Sequence, residues 1–167
     1  MLRRVWVRRG TRPIAPVHPR YEWLWLSAFV HPQTGANHWY ILPCLTGAAF
    51  TVALAAFAAA VGAGPDKRIV LAVDQAGWHG GADVTLPEGL HLVLLPPYSP
   101  ELQPAERLWP LSNEAMANRT FADLDALEDV LAARCVTLMA SPNLIRGHTC
   151  FHWWPPDPVK QELPSAV

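Results

Sequence analysis

Two stretches decide the fold of this chain: residues 68–74 (RIVLAVD) and residues 90–109 (LHLVLLPPYSPELQPAERLW). Each begins with a short apolar run, which is typical of a strand buried in the middle of a sheet. The first run ends at Asp74, and a proline pair stops the second. A helix is predicted to begin near Pro104 or Ala105, because proline is favoured in a first turn. The pattern therefore predicts two buried central strands, the second followed by a proline-stiffened loop and a helix.

Upstream of these strands the sequence predicts a hairpin. Residues 21–30 (YEWLWLSAFV) and 37–45 (NHWYILPCL) are aromatic and aliphatic, and a turn at residues 31–35 separates them. Such a pattern is typical of two antiparallel strands. Three tryptophans of the strand pattern, Trp23, Trp25 and Trp39, are expected in the core.

An uncharged run from Trp39 to Pro65 is long enough to raise the question of a membrane span, which needs about 20 apolar residues. Pro43 and Gly47 interrupt the run, and much of it is alanine or threonine, which are only weakly lipophilic. Its large side chains recur at helical spacing: Phe50, Leu54, Phe57 and Val61. The run is therefore interpreted as a strand followed by an alanine-rich helix over residues 48–61, packed on a sheet, with no membrane partner.

A last helix is predicted downstream, with Thr120 and Asp123 as its N-terminal cap. Its core stripe comprises Leu124, Leu127, Leu131, Cys135 and Leu138. After Ser141 the chain is expected to turn irregular, and residues 155–167 are expected to form a disordered, proline-rich tail. The predicted fold class is α/β, a mixed sheet with packed helices in one domain over residues 1–154.

Length and composition agree with one globular domain. The chain has 167 residues, of which 51% are hydrophobic and 16% are charged, so it is too apolar and too weakly charged for wholesale disorder. Three widely spaced cysteines form neither a closed disulfide set nor a zinc ribbon. No apolar stretch near the N-terminus resembles a secretory signal. We expect a reduced, intracellular protein in the cytoplasm.

The net charge of −1 conceals an asymmetry. Six arginines and no acidic residue lie in the first 20 residues, and the other 147 residues carry a net charge of −7. A basic arm on an acidic body suits a polyanionic partner at one edge and a cation at an acidic site. The alternative is an ordinary solvated surface strand.

Two carboxylates lie where function collects in such sheets, at the carboxyl ends of the central strands. Asp74 ends one apolar run, and Glu106 falls in the first turn of the helix that follows the other. Both side chains are expected to approach one divalent cation, since magnesium prefers carboxylate oxygens. The alternative is structural: Asp74 caps a turn, and Glu106 favours a helix N-terminus electrostatically.

Three segments carry a resemblance to a known family. VDQAGWH (residues 73–79) and LLPPYSPELQPAERLW (residues 94–109) resemble the second and third catalytic motifs of DDE-superfamily transposases, in the branch of bacterial insertion sequences related to mariner elements. RRVWVRRGTRP (residues 3–13) is similar to the tryptophan-arginine-glycine hairpin that follows the first motif there. The resemblance runs from about Arg3 to Trp154 and implies an RNase H-like fold.

The resemblance implies specific roles. Asp74 matches the second catalytic and metal-binding carboxylate, and Glu106 matches the third. In the family these two, with a first aspartate, hold two Mg²⁺ or Mn²⁺ ions that serve an in-line phosphoryl displacement on DNA. Candidate DNA contacts are the basic side chains of the arm and of the motifs: Arg3, Arg4, Arg8, Arg9, Arg12, His79 and Arg107.

Departures from the family pattern set the functional expectation. The family's first aspartate precedes the tryptophan-arginine hairpin, and no aspartate precedes Asp66 here. The first strand and the N-terminal helix-turn-helix region are also absent. Pro110 is expected to kink its helix, and Ser112 stands where a lysine is frequent. We expect the C-terminal part of a transposase catalytic domain, truncated and inactive alone, with DNA and a transposase oligomer as partners. The alternative is a non-catalytic remnant that regulates by binding DNA or full-length transposase.

Several other residues have both functional and structural interpretations. His79 either contacts DNA or the site, or packs beside Trp78 as a half-buried imidazole. Tyr98 and Ser99 either meet phosphate or simply form a turn. Trp109 is expected to anchor its helix on the sheet rather than to stack on a base.

Overall fold

The computed structural model describes Arg4, residues 7–11 and residues 22–151. The predicted proline-rich tail and most of the arginine arm, including Arg3 and Arg12, lie outside the described residues.

The predicted hairpin is present. β1 (Trp25–His31) pairs antiparallel with β2 (Ala36–Leu42), with Trp25 opposite Leu42 and His31 opposite Ala36. β2 is shorter than predicted and ends before Pro43, which has no N–H for a ladder hydrogen bond. The turn ends at Gly35, whose φ of +73° glycine adopts without a steric penalty.

The alanine-rich helix is also present, as α1 (Gly47–Val61). Thr46 caps its first turn by accepting a hydrogen bond from the Ala49 N–H at 3.1 Å, and Gly62 ends it in the left-handed conformation. Phe50, Leu54 and Phe57 are buried as the stripe predicts. None of the helices in the described residues combines the length and the apolar character that a membrane span requires.

The two predicted central strands are β3 (Ile69–Val73) and β4 (Leu90–Leu94), which pair in parallel. The prediction that they are buried was wrong, because only Val73 and Leu90 are buried and Val70 is 65% exposed. Within the described residues, β3 pairs with β4 alone, so the strands form two separate two-stranded sheets. An apolar strand is buried on both faces only where neighbours cover it, and here few do.

The loop and helix after β4 follow the prediction in outline. A short 3₁₀ turn, Pro100–Leu102, precedes a second, Pro104–Leu108, which runs into α2 (Trp109–Asn113) and a third 3₁₀ turn, Glu114–Met116. Pro110 falls in the first turn of α2 rather than inside a longer helix. First-turn proline is tolerated, so the expected kink takes the form of a helical segment divided into short pieces.

The C-terminal part differs from the prediction in two ways. Asp123 alone caps α3 (Leu124–Met139), accepting a hydrogen bond from the Ala126 N–H at 2.9 Å, while Thr120 lies outside the cap. The chain after Ser141 is not irregular, because it forms a further helix, α4 (Pro142–Thr149). α4 packs through Ile145 and Thr149, one turn apart and both 0% exposed.

The hairpin lies between two apolar clusters. One face of the hairpin, with Phe29 and Leu42, packs on α1, β3 and β4. The opposite face, with Trp39, packs on α2, α3 and α4. This alternation follows the two-residue period of a strand. Trp39 is buried as predicted, whereas Trp23 and Trp25 are 67% and 40% exposed and stack on each other at the start of β1.

A buried polar network joins the hairpin to α3. The Trp39 indole N–H donates to Asn37 Oδ1 at 2.6 Å. Asn37 Nδ2 donates to the carbonyl oxygens of Gly35 at 2.9 Å and Leu138 at 3.3 Å. Buried polar groups that are paired in this way fix the position of the hairpin on the helices.

Candidate active site

Asp74 and Glu106 line one cavity at the carboxyl ends of β3 and β4. The cavity has a volume of about 440 Å³, and its walls come from the turn after β3 and the proline-rich loop after β4. β3 and β4 are parallel, so both loops leave the sheet at the same end. The structure therefore places the two predicted carboxylates at a common opening, which we call the site cavity.

Asp74 is held in place by contacts to one of its two oxygens. Its Oδ1 accepts a hydrogen bond from the Ala76 N–H at 3.1 Å and lies 2.6 Å from His79 Nδ1. The same ring nitrogen lies 3.2 Å from the Asp74 carbonyl oxygen. Since both side-chain contacts use Oδ1, Oδ2 is the oxygen that can point towards a ligand. The Asp74 side chain is 52% exposed, whereas the His79 side chain is 15% exposed.

Two aromatic side chains contact the ring of His79. Its ring lies 4.6 Å from the ring of Phe50, at the start of α1, and 5.8 Å from that of Trp78. Both sequence interpretations of His79 are therefore met in part, since the imidazole is packed beside Trp78 and also contacts Asp74. Nothing in the sequence around Phe50 indicates this contact, which depends on how α1 packs over β3.

Glu106 is positioned by the short turn Pro104–Leu108. Pro104 and Leu108 are buried and anchor the turn, with Leu108 0% exposed. Between these anchors, Glu106 and Arg107 are exposed. With both ends of the turn anchored in the core, Glu106 stays at the surface and lines the cavity.

A cross-link between the two loops was missed by sequence reasoning. Gln75 Nε2 donates to the Leu95 carbonyl oxygen at 2.9 Å, next to the ladder hydrogen bond from the Leu95 N–H to the Val73 carbonyl oxygen at 2.8 Å. The Gln75 side chain thereby ties the turn that carries Asp74 to the loop that leads to Glu106.

Tyr98 forms part of the rim of the site cavity. Its φ is +58°, an uncommon conformation for a residue with a side chain, and its side chain is fully exposed. The neighbouring Ser99 hydroxyl donates to the Pro97 carbonyl oxygen at 3.3 Å. Ser99 thus serves the turn, while the tyrosine ring is left at the opening.

The other candidate residues are distributed over the surface. Arg4, Arg8 and Arg9 are exposed. The Arg107 guanidinium lies 5.4 Å from the centre of the Phe151 ring, a cation–π contact.

Two residues of α2 have structural positions. Ser112 is 1% exposed and donates to the Trp109 carbonyl oxygen at 3.1 Å, so its hydroxyl serves the interior of the helix packing rather than the surface. Trp109 meets Trp39 edge to face at 6.1 Å, in agreement with its predicted role as an anchor.

The donor set suits a hard cation only in part. Two carboxylates at one cavity match the oxygen donors that Mg²⁺ takes, usually one or two carboxylates with water at the other positions. Within the described residues, no group of three or more histidine, cysteine, aspartate or glutamate side chains is arranged to hold a metal. The described residues therefore offer two carboxylates, the number that one such ion usually takes, and no third ligand for a pair of ions.

The described elements form an α/β domain with Asp74 and Glu106 on one cavity at the carboxyl ends of its parallel strands. The sequence pattern of one protein family, described as DDE superfamily endonuclease, matches residues 1–128 of the chain. The chain belongs to this family. In the described part of the chain, the mixed arrangement of small sheets and four α-helices is consistent with the RNase H-like fold of this family.

The chain is also similar to an uncharacterized protein, y4pE/y4sA, of Sinorhizobium fredii (strain NBRC 101917 / NGR234). The two are 35% identical over 132 residues, which cover 78% of this chain and 96% of the relative. No solved structure matches the chain. Membership of the family assigns the chain to endonucleases that act on DNA and that generally use divalent metals.

Proposed function

We propose that this chain is part of the catalytic domain of a DNA transposase from a mariner-related bacterial insertion sequence, with Asp74 and Glu106 as its metal-binding, catalytic carboxylates. The observation that carries the proposal is their shared position on one cavity, at the carboxyl ends of two parallel strands. The family match over residues 1–128 supports the same assignment.

In this proposal the carboxylates of Asp74 and Glu106 would hold Mg²⁺ or Mn²⁺. A bound ion would supply charge stabilisation to an oxygen of the reacting phosphate. His79 and the Ala76 N–H keep the Asp74 carboxylate turned so that Oδ1 is engaged and Oδ2 is available. Gln75 keeps the loop leading to Glu106 at a fixed distance from the turn that carries Asp74.

Metal binding by single variants tests the carboxylate roles. Asp74→Asn and Glu106→Gln each remove one negative ligand, and each is expected to weaken Mn²⁺ binding at least tenfold, about 1.4 kcal/mol. Glu101→Gln is the matched control, since Glu101 is exposed in the neighbouring 3₁₀ turn and is not among the residues that line the cavity. Titration calorimetry measures the affinities. Equal Mn²⁺ affinity in all four proteins would remove the metal site from the proposal.

The chain alone is expected not to cleave DNA. Two ions in one site need a ligand that both share, and the described residues offer two carboxylates rather than three. Losing one well-placed electrostatic stabiliser typically costs about 10²–10³ in rate, and a lost metal ion should cost at least as much. The assay is nicking of transposon-end DNA with Mg²⁺ or Mn²⁺, comparing this chain with a version extended upstream by a strand that carries an aspartate. Equal nicking by both, abolished by Asp74→Ala, would show that a carboxylate of this chain already completes the site.

A non-catalytic regulator is the second candidate, favoured by the same two-carboxylate count. This candidate binds either DNA or full-length transposase. DNA binding, which the first candidate requires, we assign to the arginine arm with His79 and Arg107. Phosphate contacts release counterions, so affinity for duplex DNA should fall steeply as salt rises. Titrations at two salt concentrations measure this slope, and an affinity that does not change with salt would discard the arm as a DNA contact. Binding without nicking by the upstream-extended chain would favour the regulator.

A further inference from the structure

Two tryptophans at the start of the hairpin are open to solvent. Trp23 precedes β1 and is 67% exposed, and Trp25 is the first residue of β1 and is 40% exposed. Their rings stack on each other, with centroids 6.5 Å apart and planes 18° from parallel, a separation within the usual range for aromatic pairs. We call Trp23 and Trp25 together the indole pair.

The rest of the hairpin does not need the indole pair for its core. Side chains two residues apart share a face of a strand, so Trp25 lies on the same face of β1 as Phe29. Phe29 is 7% exposed, because the Phe57 ring of α1 stacks on it with the centroids 4.5 Å apart. α1 thus covers the middle of β1 on this face and leaves its start open. Two large aromatic side chains at an open position are the kind of surface that marks a binding site.

The indole pair lies at the end of the hairpin that is closer to the site cavity. Trp25 is paired with Leu42, the last residue of β2, and α1 begins shortly afterwards. In the first turn of α1, Phe50 contacts the ring of His79, which in turn contacts Asp74. The start of β1 and the catalytic carboxylate proposed above therefore lie at the same end of the molecule.

The charge of this part of the chain suits a polyanion. Residues 1–65 contain six arginines and a single acidic residue, Glu22, whereas residues 66–167 carry a net charge of −6. Arg20 stands three residues before Trp23 in the sequence. Proteins that bind single-stranded nucleic acid combine these two features, since aromatic rings stack on bases and basic groups contact the backbone. An apolar protein partner would make no use of the arginines.

We propose that the indole pair binds unpaired nucleobases of single-stranded DNA, with Trp23 and Trp25 stacking on bases and the arginine arm contacting the phosphates. The two rings already restrain each other, so little side-chain freedom is lost on binding. A duplex keeps its bases inside the helical stack, so it offers the arm its phosphates and offers the indole pair nothing. The inference rests on the proposed function only in taking DNA as the ligand, and it requires neither a metal ion nor cleavage.

The test compares a short oligothymidylate with a duplex of equal length, using the full 167-residue chain. Trp23→Leu and Trp25→Leu should each weaken binding of the single strand roughly tenfold, because removing a ring that stacks on one base typically costs that much or more. Duplex affinity should not change in either variant. Trp23→Phe keeps an aromatic face and should retain most of the single-strand affinity.

A control and a direct signal accompany these affinities. Phe121→Leu removes an aromatic ring outside the hairpin, where Phe121 contacts the Arg119 guanidinium, and should leave single-strand affinity unchanged. Indole fluorescence is quenched when a base stacks on the ring, and this quenching should disappear when Trp23 and Trp25 are both replaced by leucine. Both tryptophans are exposed, so the variants are expected to fold, which circular dichroism checks.

Salt dependence separates stacking from phosphate contacts. Stacking releases no counterions, so Trp23→Leu should lower single-strand affinity by the same factor at every salt concentration. Arg8→Gln and Arg9→Gln alter exposed residues of the arm, and they should instead make the affinity for both DNA forms depend less steeply on salt.

Four results would overturn the proposal. Unchanged single-strand affinity in both leucine variants, with salt-dependent duplex binding intact, would remove the indole pair and leave the proposed function standing. An equal loss of duplex affinity would show that unpaired bases are not what the rings recognise. A dimer that Trp23→Leu dissociates would assign the pair to a contact between copies of the chain. If the unmodified chain binds neither DNA form at low salt, both this proposal and DNA as the partner in the proposed function are wrong.

Discussion

Replacing Gly35 by alanine tests how the hairpin is fixed to the C-terminal helix. Gly35 ends the turn between β1 and β2, with a φ of +73°. A Cβ built there would lie 1.9 Å from the Pro142 carbonyl oxygen and 3.0 Å from the Arg146 backbone nitrogen. Both atoms belong to the backbone of α4, so no side-chain rotation relieves the overlap. Either the hairpin turn or α4 must move.

The size of the effect follows from two separate costs. A left-handed backbone conformation costs an alanine roughly 1–2 kcal/mol. Moving α4 away from the turn would also expose part of Ile145, which is 0% exposed, and complete exposure of such a side chain costs about 1.5–3 kcal/mol. We expect Gly35→Ala to lower the free energy of unfolding by about 3–4 kcal/mol.

Gly62→Ala is the matched control, because Gly62 has a φ of +68° and nothing lies within 4 Å of its built Cβ. It carries the backbone cost alone, so we expect a loss of about 1–2 kcal/mol. Urea unfolding followed by circular dichroism measures both values. If the two substitutions lower the free energy of unfolding by the same amount within about 0.5 kcal/mol, the close approach of the turn to α4 is not a constraint. The packing of Trp39 on α2, α3 and α4 would then need revision.

Three further predictions concern single side chains. His79→Ala should weaken Mn²⁺ binding roughly tenfold by releasing Asp74, as for other partners of metal-binding side chains, whereas His91→Ala, on an exposed strand position, should not change it. Asn37→Leu leaves the buried Trp39 indole N–H without its acceptor, and thermal or urea unfolding should show a loss of about 1–3 kcal/mol. Burial raises the pKa of the Cys135 thiol from 9.0 to about 11. Because the unfolded chain loses this proton at lower pH than the folded chain, the free energy of unfolding should fall as pH rises from 9 towards 11. A Cys135→Val variant should lose less unfolding free energy over that range, and an equal loss in both proteins would contradict the burial argument.

The elements that the sequence predicts well are those whose signals are local. The hairpin follows from two apolar runs around a turn ending in glycine, and α1 follows from a helical stripe bounded by Thr46 and Gly62. Pro43 indicates that β2 ends before residue 43, since a residue without an N–H cannot continue the ladder of hydrogen bonds. The helix α4 has no comparable stripe, because only Ile145 and Thr149 of its eight residues are buried. The position of α4 depends on its packing in the apolar cluster around Trp39.

The site was predictable in its composition and not in its internal contacts. Parallel strands bring the residues after their carboxyl ends together, so a shared cavity for Asp74 and Glu106 follows from identifying the two strands. The contact between Asp74 and His79 depends on the path of the four residues between them, and that path depends on Phe50 of α1 packing against His79. A sequence read along one strand carries no information on such a neighbour.

The wrong prediction about β3 has a physical meaning. Its sequence, IVLAV, has the composition of a strand covered on both faces and paired on both edges, yet within the described residues it pairs on one edge and Val70 and Ala72 are exposed. The apolar composition of β3 therefore indicates a central position in a sheet, whereas its burial depends on how many neighbouring strands and helices cover it. Among the described residues β4 alone pairs with β3, so the composition of the strand and its exposure differ.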